Sequence, residues 1–177
     1  MTRELSELFT RVLAVEIDRG LIPLLGETLE DCENVSVINE DFMSLSLKDL
    51  LRNNFGDSPV RICANLPYYI TTPILMRLLE SGVRFSSITV MVQNEVASRL
   101  TAAPGKSDYG AITAVLGYYG NARRLFTVPA GCFLPAPKVS SAVVRIDLPK
   151  TPKYSPRSEK LFFRTVHAAF EQRRKTL

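Results

Sequence analysis

Residues 60–79 read VRICANLPYYITTPILMRLL, and this stretch contains a strand signal, a turn signal and a helix signal in succession. Its first five residues form a mostly apolar run of the kind found in buried strands. Pro67 follows three residues after this run and marks a turn. Thr72 and Pro73 then supply an N-cap and a first-turn proline for a helix over Ile74–Leu79. Strand, polar turn and helix in this order form the repeating unit of an α/β fold.

The same alternation continues on both sides of this stretch and predicts a doubly wound sheet with helices on both faces. The segment Ala111–Tyr119 is compatible with either a helix or a strand, and a polar stretch lies between Phe42 and the strand that begins at Val60. Arg123–Val128 and Ala142–Leu148 are predicted to pair as an antiparallel edge hairpin. The remaining predicted elements are strands at Arg11–Ile17, Val35–Ile38 and Ser87–Val92 and helices at Leu21–Leu29 and Asn94–Leu100.

The composition changes after Leu148. Residues 149–156 read PKTPKYSP, and this proline spacing is typical of a linker. An amphipathic helix is predicted to follow over Ser158–Arg173. We therefore expect a core over residues 1–149 and, over residues 150–177, a linker and the first helix of a small C-terminal domain.

The charge is moderately basic and unevenly distributed. The 177 residues include 22 Lys and Arg against 18 Asp and Glu, which gives a formal net charge of +4. The excess is concentrated in residues 138–177, including Arg173, Arg174 and Lys175. A contact with nucleic acid and a solvated basic tail both explain this segment.

Three cysteines that lie far apart argue against a disulfide framework and against a metal site. One of them, Cys63, is expected to be a small buried residue of a strand. No apolar run approaches the ~18 residues that suggest a membrane span, and the N-terminus has no signal-peptide pattern. These observations predict a cytoplasmic protein.

The tetrapeptide Asn65–Tyr68 has the chemistry needed to hold a planar amino group. The exocyclic amine of a nucleobase is a poor nucleophile because its lone pair is delocalised into the ring. The Asn65 side chain and the Leu66 carbonyl can accept hydrogen bonds from its two N–H groups, and Pro67 favours an extended conformation at Leu66. Tyr68 offers an aromatic face for stacking. A strand that ends in an ordinary Asn-x-Pro turn explains the same four residues.

Two carboxylates also follow predicted strands, where ligands of doubly wound sheets bind. Glu16 closes the first strand and can accept hydrogen bonds from two ribose hydroxyls. Asp41 follows the second strand and can accept from an adenine amino group, on which Phe42 could pack. Each carboxylate alone is equally compatible with a turn or a helix cap.

The chain resembles the ribosomal RNA adenine N6,N6-dimethyltransferases, S-adenosylmethionine-dependent enzymes related to the erythromycin-resistance methylases. The resemblance covers almost the whole chain. It is carried by AVEIDRGLIPLL (14–25), INEDF (38–42), NLPYYITTPIL (65–75), MVQNEVASRL (91–100), KSDYG (106–110), FLPAPKVSSAVVR (133–145) and FFRTVHAAFEQRRKTL (162–177).

The resemblance implies a Rossmann-like class I methyltransferase fold that transfers two methyl groups to each of two neighbouring adenines near the 3′ end of small-subunit ribosomal RNA. It implies a pre-ribosomal small subunit as the partner and no metal. The implied cofactor-binding residues are Glu16, Ile17, Asp41, Phe42 and Asn65. The implied catalytic residues are Asn65, Leu66, Pro67, Tyr68 and Phe133, the last as the second aromatic that clamps a flipped base.

The chain departs from the family in one motif. The family has a glycine-rich loop after its first strand, whereas no G-x-G occurs in residues 1–177. Thr2–Leu5 aligns with the helix that follows this loop, so the resemblance implies that the first strand, the loop and the N-terminal arm are missing, as is most of the C-terminal helical domain. We therefore expect feeble cofactor binding, impaired or absent activity, and low stability or self-association through an unpaired strand edge at Arg11–Ile17.

Three other functions remain open at this point. The same surface could serve a catalytically silent RNA-binding or ribosome-assembly module. A large-subunit resistance methylase fits less well with the segments 133–145 and 168–177. A DNA adenine methyltransferase would normally have an acidic residue in place of Asn65.

Overall fold

The computed structural model describes residues 1–83, 85–149, 151 and 154–171. The chain divides into two compact units. Unit 1 comprises Met1–Ser58 with Glu80–Val83, and unit 2 comprises Pro59–Leu79 with the described residues from 85 onward. No helix within the described ranges combines the length and the apolar character needed to cross a membrane.

Unit 1 contains a parallel pair of strands flanked by helices. The pairing extends from Val12 opposite Val35 to Glu16 opposite Asn39, so both strands end together. Both strands and the helix between them confirm the sequence prediction to within two residues. The elements of this unit are α1 (Thr2–Leu8), β1 (Val12–Glu16), a 3₁₀ turn (Arg19–Leu21), α2 (Ile22–Thr28), β2 (Val35–Asn39) and α3 (Leu47–Phe55).

Helix α3 lies in the polar stretch for which the sequence analysis predicted no element. The segment is polar, but Leu47, Leu51 and Phe55 recur every fourth residue, so they share one face of a helix. Leu47 and Leu51 are buried on that face. A narrow apolar stripe in a polar segment was therefore enough to form a helix.

Unit 2 is a four-stranded mixed sheet with four helices. The strand order is β3-β4-β6-β5, in which β3 and β4 are parallel and β6 is antiparallel to both of its neighbours. The predicted antiparallel pair is confirmed, with β5 at the edge and β6 inside the sheet. The elements are β3 (Val60–Asn65), α4 (Thr71–Glu80), β4 (Phe85–Gln93), α5 (Asn94–Leu100), α6 (Ala111–Tyr119), β5 (Asn121–Val128), a 3₁₀ turn (Ala130–Cys132), β6 (Ser141–Asp147) and α7 (Glu159–Glu171).

One face of this sheet forms the core of unit 2. In β4 and β6 alternate side chains are almost completely buried, as the two-residue period of a strand requires. The fully buried set includes Ile88, Val90, Val92, Val144 and Ile146 from the sheet and Leu75, Leu78, Leu100, Val115 and Leu116 from the helices.

Cys63 corrects the sequence prediction of a buried cysteine. The burial of β3 alternates, with Ile62 and Ala64 half-buried and Arg61, Cys63 and Asn65 exposed. Cys63 therefore lies on the opposite side of the strand from the half-buried residues. The apolar composition of the run concealed this alternation.

Helix α4 begins at Thr71, three residues before the predicted first residue. The Ile74 N–H donates to the Ile70 carbonyl at 3.1 Å, so the helical hydrogen bonds already include this turn. Pro73 is tolerated there because the first-turn N–H groups have no intrahelical acceptor. Thr72 is consequently inside the helix and does not cap it.

The C-terminal helix α7 packs against α6. Tyr118 of α6 is in ring contact with Phe162 and Phe163 of α7, at centroid distances of 5.1 and 5.3 Å. Tyr109 contacts Phe170 at 5.9 Å. Aromatic residues of α7 thus pack against the rest of unit 2, while the predicted domain boundary at residue 150 stays a prediction. The basic Arg173-Arg174-Lys175 segment lies outside the described residues.

Candidate functional site

Four strand ends meet at one edge of the sheet of unit 2. The register pairs Asn65 with Met91, and Gln93 two residues further on with Ser141. Ser141 also pairs with Val128 of β5. The end of β3, the end of β4, the start of β6 and the end of β5 therefore lie side by side. This is the carboxyl edge of the two parallel strands, where α/β folds bind ligands.

Asn65 is the last residue of β3 and its side chain is exposed. Its amide has no hydrogen-bond partner among the described residues. The neighbouring Leu66 has only 6% of its surface exposed, and its N–H donates to the Met91 carbonyl at 3.3 Å. No donor in the described part of the chain reaches the Leu66 carbonyl. One side-chain acceptor and one backbone acceptor are thus available on adjacent residues.

The turn after Leu66 is fixed through the carbonyl of Pro67. This oxygen accepts from the Ile70 N–H at 3.1 Å and from the Thr71 hydroxyl at 3.0 Å. Both contacts tie the turn to the first residues of α4. The backbone on either side of Tyr68 is therefore held in one conformation.

Tyr68 is half-buried, and its hydroxyl lies 2.7 Å from Oγ of Ser141. Ser141 is completely buried at the start of β6. The sequence analysis missed Ser141, although it lies within the FLPAPKVSSAVVR segment. No local signal could have found the contact, because the two residues are 73 positions apart.

Phe133 lies in the loop between β5 and β6, directly after a 3₁₀ turn. Its N–H donates to the Ala130 carbonyl at 3.2 Å, and its side chain is half-buried. The pairing of Val128 with Ser141 holds the two ends of this loop together. Tyr68 and Phe133 thus both belong to this edge of the sheet, but their rings do not contact each other.

Arg124 forms a second polar connection at the same edge. Its guanidinium donates to Asn94 Oδ1 at 2.9 Å and to Ser98 Oγ at 2.9 Å. The Asn94 N–H in turn donates to the Ser140 carbonyl at 3.0 Å. These bonds connect the start of α5 to β5 and to the end of the Phe133 loop. The sequence analysis assigned no role to Arg124.

In unit 1, Glu16 is the last residue of β1. Its Oε1 accepts a hydrogen bond from the Asp18 N–H at 2.8 Å, which orients the carboxylate. Its other carboxylate oxygen has no partner among the described residues. The adjacent Ile17 is exposed, with 65% of its surface accessible. The end of β1 thus presents one carboxylate oxygen and one apolar side chain.

Asp41 follows β2 by two residues and is exposed. Its Oδ1 accepts from the Met43 N–H at 2.8 Å, and Oδ2 has no partner in the described part of the chain. Phe42 beside it is half-buried. Asp41 therefore resembles Glu16 in having one oxygen that orients the group and one that is available.

The predicted residues fall into two groups, one in each unit. The group in unit 1 lies at the end of β1 and after β2 and consists of Glu16, Ile17, Asp41 and Phe42. The group in unit 2 lies at the edge of the sheet and consists of Asn65, Leu66, Pro67, Tyr68 and Phe133.

Within the described ranges there is no group of three or more His, Cys, Asp and Glu residues that could hold a metal ion.

A family model described as "Ribosomal RNA adenine dimethylase" matches residues 1–177. The "Ribosomal RNA small subunit methyltransferase A" of Alkaliphilus oremlandii (strain OhILAs) is 50% identical over 177 residues, which cover 100% of this chain and 62% of that protein. The protein of the same name from Clostridioides difficile (strain 630) is 44% identical over 177 residues, 100% of this chain and 61% of that protein. The chain thus spans less than two thirds of the length of these relatives.

Two solved structures have the same fold. A dimethyladenosine transferase from Plasmodium falciparum matches with a TM-score of 0.81 at 23% identity, over 99% of this chain and 62% of that one. The 23S rRNA methyltransferase ErmE matches with a TM-score of 0.81 at 25% identity, over 99% of this chain and 67% of that one. The predicted class I methyltransferase fold is therefore confirmed.

Proposed function

Because the chain belongs to the ribosomal RNA adenine dimethylase family, we propose that it binds S-adenosylmethionine and methylates N6 of adenine in small-subunit ribosomal RNA. Two adjacent adenines near the 3′ end, each methylated twice, are the proposed targets. The observation that carries the proposal is the pair of available acceptors at the end of β3. These are the exposed Asn65 amide and the Leu66 carbonyl, neither of which has a partner among the described residues.

The two acceptors match the hydrogens of an adenine amino group. Asn65 Oδ1 and the Leu66 carbonyl would each accept one N6 hydrogen. This draws the nitrogen toward tetrahedral geometry and releases its lone pair from the ring. Pro67 restricts Leu66 to extended conformations, so the backbone acceptor is held ready before the base arrives. The chemistry then depends on positioning more than on a strong base.

The aromatic residues would replace the stacking that a base loses when it leaves its helix. Tyr68 has a ring whose hydroxyl is fixed by Ser141 at 2.7 Å. Phe133 lies in the loop that ends next to Ser141. A purine stacked on Tyr68 would lie next to the acceptors of Asn65 and Leu66, because these residues immediately precede the turn that carries Tyr68.

The carboxylates of unit 1 fit the cofactor. Glu16 and Asp41 each have one oxygen oriented by a backbone N–H at 2.8 Å and one available acceptor. Such acceptors suit ribose hydroxyls and an adenine amino group, and the exposed Ile17 and half-buried Phe42 offer apolar surface to the adenine ring. When bound, S-adenosylmethionine would supply a methyl carbon activated by its sulfonium charge, with a neutral thioether as the leaving group. After each transfer the N6 proton becomes acidic and can pass to water.

The proposal is tested by methyl transfer from labelled S-adenosylmethionine to undermethylated small ribosomal subunits. Mass spectrometry of the digested RNA would reveal N6,N6-dimethyladenosine. We expect Asn65→Ala to lower the rate about a hundredfold, in line with the loss of one preorganised hydrogen bond at a reacting group. Asn53→Ala, at an exposed position of α3, is the matched control and should have no effect.

Other outcomes of this assay identify the alternatives. RNA binding without methyl transfer would favour the silent assembly module. Transfer to large subunits alone would favour a resistance methylase. The small subunit is favoured here because relatives 44–50% identical bear its name, whereas ErmE is 25% identical.

Self-association is a further part of the proposal. In the described residues β1 pairs only with β2, so one edge of this strand has no ladder partner. Unpaired edges of apolar strands are templates for another strand. We therefore expect β1 to be the contact between two copies of the chain.

A further inference from the structure

The hydroxyl groups of Tyr68 and Ser141 form a side-chain contact between the proposed base-binding turn and the start of β6. The hydroxyl of Ser141 is completely buried, and its backbone is paired on both sides, with Gln93 of β4 and Val128 of β5. A residue at the start of an interior strand, paired on both sides, has little freedom to move. Its Oγ is therefore a fixed point at the edge of the sheet.

Tyr68 is the only partner of this hydroxyl in the described chain, at 2.7 Å. The backbone around Tyr68 is already fixed by the Pro67 carbonyl and by the Leu66 N–H. These bonds fix the backbone of the residue but not the direction in which its side chain points. The hydroxyl contact supplies this constraint, because Oη lies on the long axis of the ring and holding it at Ser141 fixes the direction of that axis.

The loop that carries Phe133 ends where β6 begins, at Ser141. The Ser140 carbonyl accepts from the Asn94 N–H at 3.0 Å, so the backbone before Ser141 is fixed as well. One short segment therefore holds the ring of Tyr68 by a side chain and the Phe133 loop by its backbone. Both proposed stacking residues are thus connected to this segment, Tyr68 by its hydroxyl and Phe133 by the loop that ends there.

We propose that Ser141 is a positioning residue that fixes the direction of the Tyr68 side chain, so that its ring is held where the target adenine would stack. This inference rests on the proposed function of the Asn65–Tyr68 turn and adds a residue to it. Ser141 does not touch the base and acts only through Tyr68. A purely structural role, in which the two hydroxyls merely satisfy each other, would alter stability without altering turnover by folded protein.

The first measurement needs no activity. In the chain labelled with ¹³C-tyrosine, the ring signals of Tyr68 are assigned by their loss in Tyr68→Phe. We expect Ser141→Ala to shift or broaden these signals. Ser140→Ala should leave them unchanged, because the contact of Ser140 is made by its carbonyl. Unchanged Tyr68 signals in Ser141→Ala would overturn the inference whatever the activity of the chain.

The second measurement is methyl transfer to undermethylated small subunits. Ser141→Ala and Tyr68→Phe should each lower kcat about tenfold, since a slightly misplaced reactant is costly, with an unchanged KM for S-adenosylmethionine. The double variant should be no slower than either single variant, because both remove one contact. Tyr69→Phe, at a position 88% exposed, is the control for the tyrosine change.

The outcomes separate this inference from the proposed function. Losses that multiply in the double variant, or a folded Ser141→Ala chain with full kcat, would overturn the positioning role. If the unmodified chain transfers no methyl group, the proposed activity fails on its own. Stacking is then followed by the fluorescence of 2-aminopurine replacing the target adenine in an RNA hairpin. Equal quenching by Ser141→Ala and the unmodified chain, or no quenching by either, would overturn the inference.

Discussion

The Tyr118 hydroxyl donates a 2.6 Å hydrogen bond to Glu159 Oε1, which joins α6 to the first turn of α7. Tyr118 is 4% exposed and is surrounded by the rings of Tyr119, Phe162 and Phe163. The bond therefore lies at the edge of an aromatic cluster that attaches the C-terminal helix to the rest of unit 2.

Replacing Tyr118 by Phe keeps the ring contacts and removes only this hydrogen bond. We expect the free energy of unfolding to fall by about 1 kcal/mol, the usual net contribution of such a bond. Urea unfolding followed by far-UV circular dichroism measures the change. Tyr69→Phe, at an exposed position, should leave the midpoint where it is, and an equal loss in both variants would contradict the assignment.

The same contact predicts a dependence of stability on alkaline pH. The hydrogen bond to Glu159, followed by burial, raises the pKa of Tyr118 from 10.0 to about 12. The folded chain thus favours the protonated phenol, so the stabilisation is complete below pH 10 and is lost as the pH rises through 12. The stability difference between the unmodified chain and Tyr118→Phe should shrink over this interval. A difference that stays constant from pH 9 to about 12 would refute this prediction.

The sequence predicted most strands because they are continuous apolar or β-branched runs bounded by turn residues. Strands β3 and β4 were predicted to within two residues. The ambiguity over residues 111–119 is resolved as helix α6, whose buried residues include Thr113, Val115, Leu116 and Tyr118. A mostly apolar segment of this length has no clear period, so only its tertiary surroundings decide between helix and strand.

The candidate site was predictable only in part. The positions of Glu16, Asp41 and Asn65 at or just after the ends of strands could be predicted, because the strands themselves have clear sequence signals. The contacts of Ser141 and Arg124 could not be predicted, since they join residues that are distant in sequence. The exposure of Cys63 depends on which face of β3 is covered, and this too is a property of the assembled sheet.

Gly120 occupies a position where a side chain does not fit. A Cβ there would lie 2.3 Å from the Asp147 carbonyl oxygen and 3.0 Å from Leu148 Cδ2. Because the first of these is a backbone atom between paired strands, we expect Gly120→Ala to destabilise the chain by about 1–3 kcal/mol. The matched control is Gly117→Ala in α6, where a Cβ meets nothing within 4 Å. That change should stabilise the helix by up to about 1 kcal/mol, and thermal unfolding of both variants decides the comparison.

Cofactor binding is predicted to be weak. Glu16 and Asp41 each present an available carboxylate oxygen, but no G-x-G occurs in the sequence to bring the backbone close to the rest of the cofactor. Calorimetric titration with S-adenosylmethionine should give a dissociation constant well above the micromolar range, and a micromolar value would contradict the prediction. Glu16→Gln should weaken binding further, by about tenfold, because it removes a charge-assisted hydrogen bond. Glu27→Gln on the exposed face of α2 is the control.

The open edge of β1 predicts association that depends on concentration. All five residues of this strand are half-buried and four of them are apolar, and only one edge is paired within the described residues. A second copy can add its own strand there, which would satisfy backbone groups and cover apolar surface at once. Light scattering across a range of concentrations should show dimers that dissociate on dilution. Amide hydrogen exchange at residues 12–16 should slow as the dimer forms, because the edge N–H groups become bonded. A monodisperse monomer with unchanged exchange at these amides would eliminate β1 as the contact.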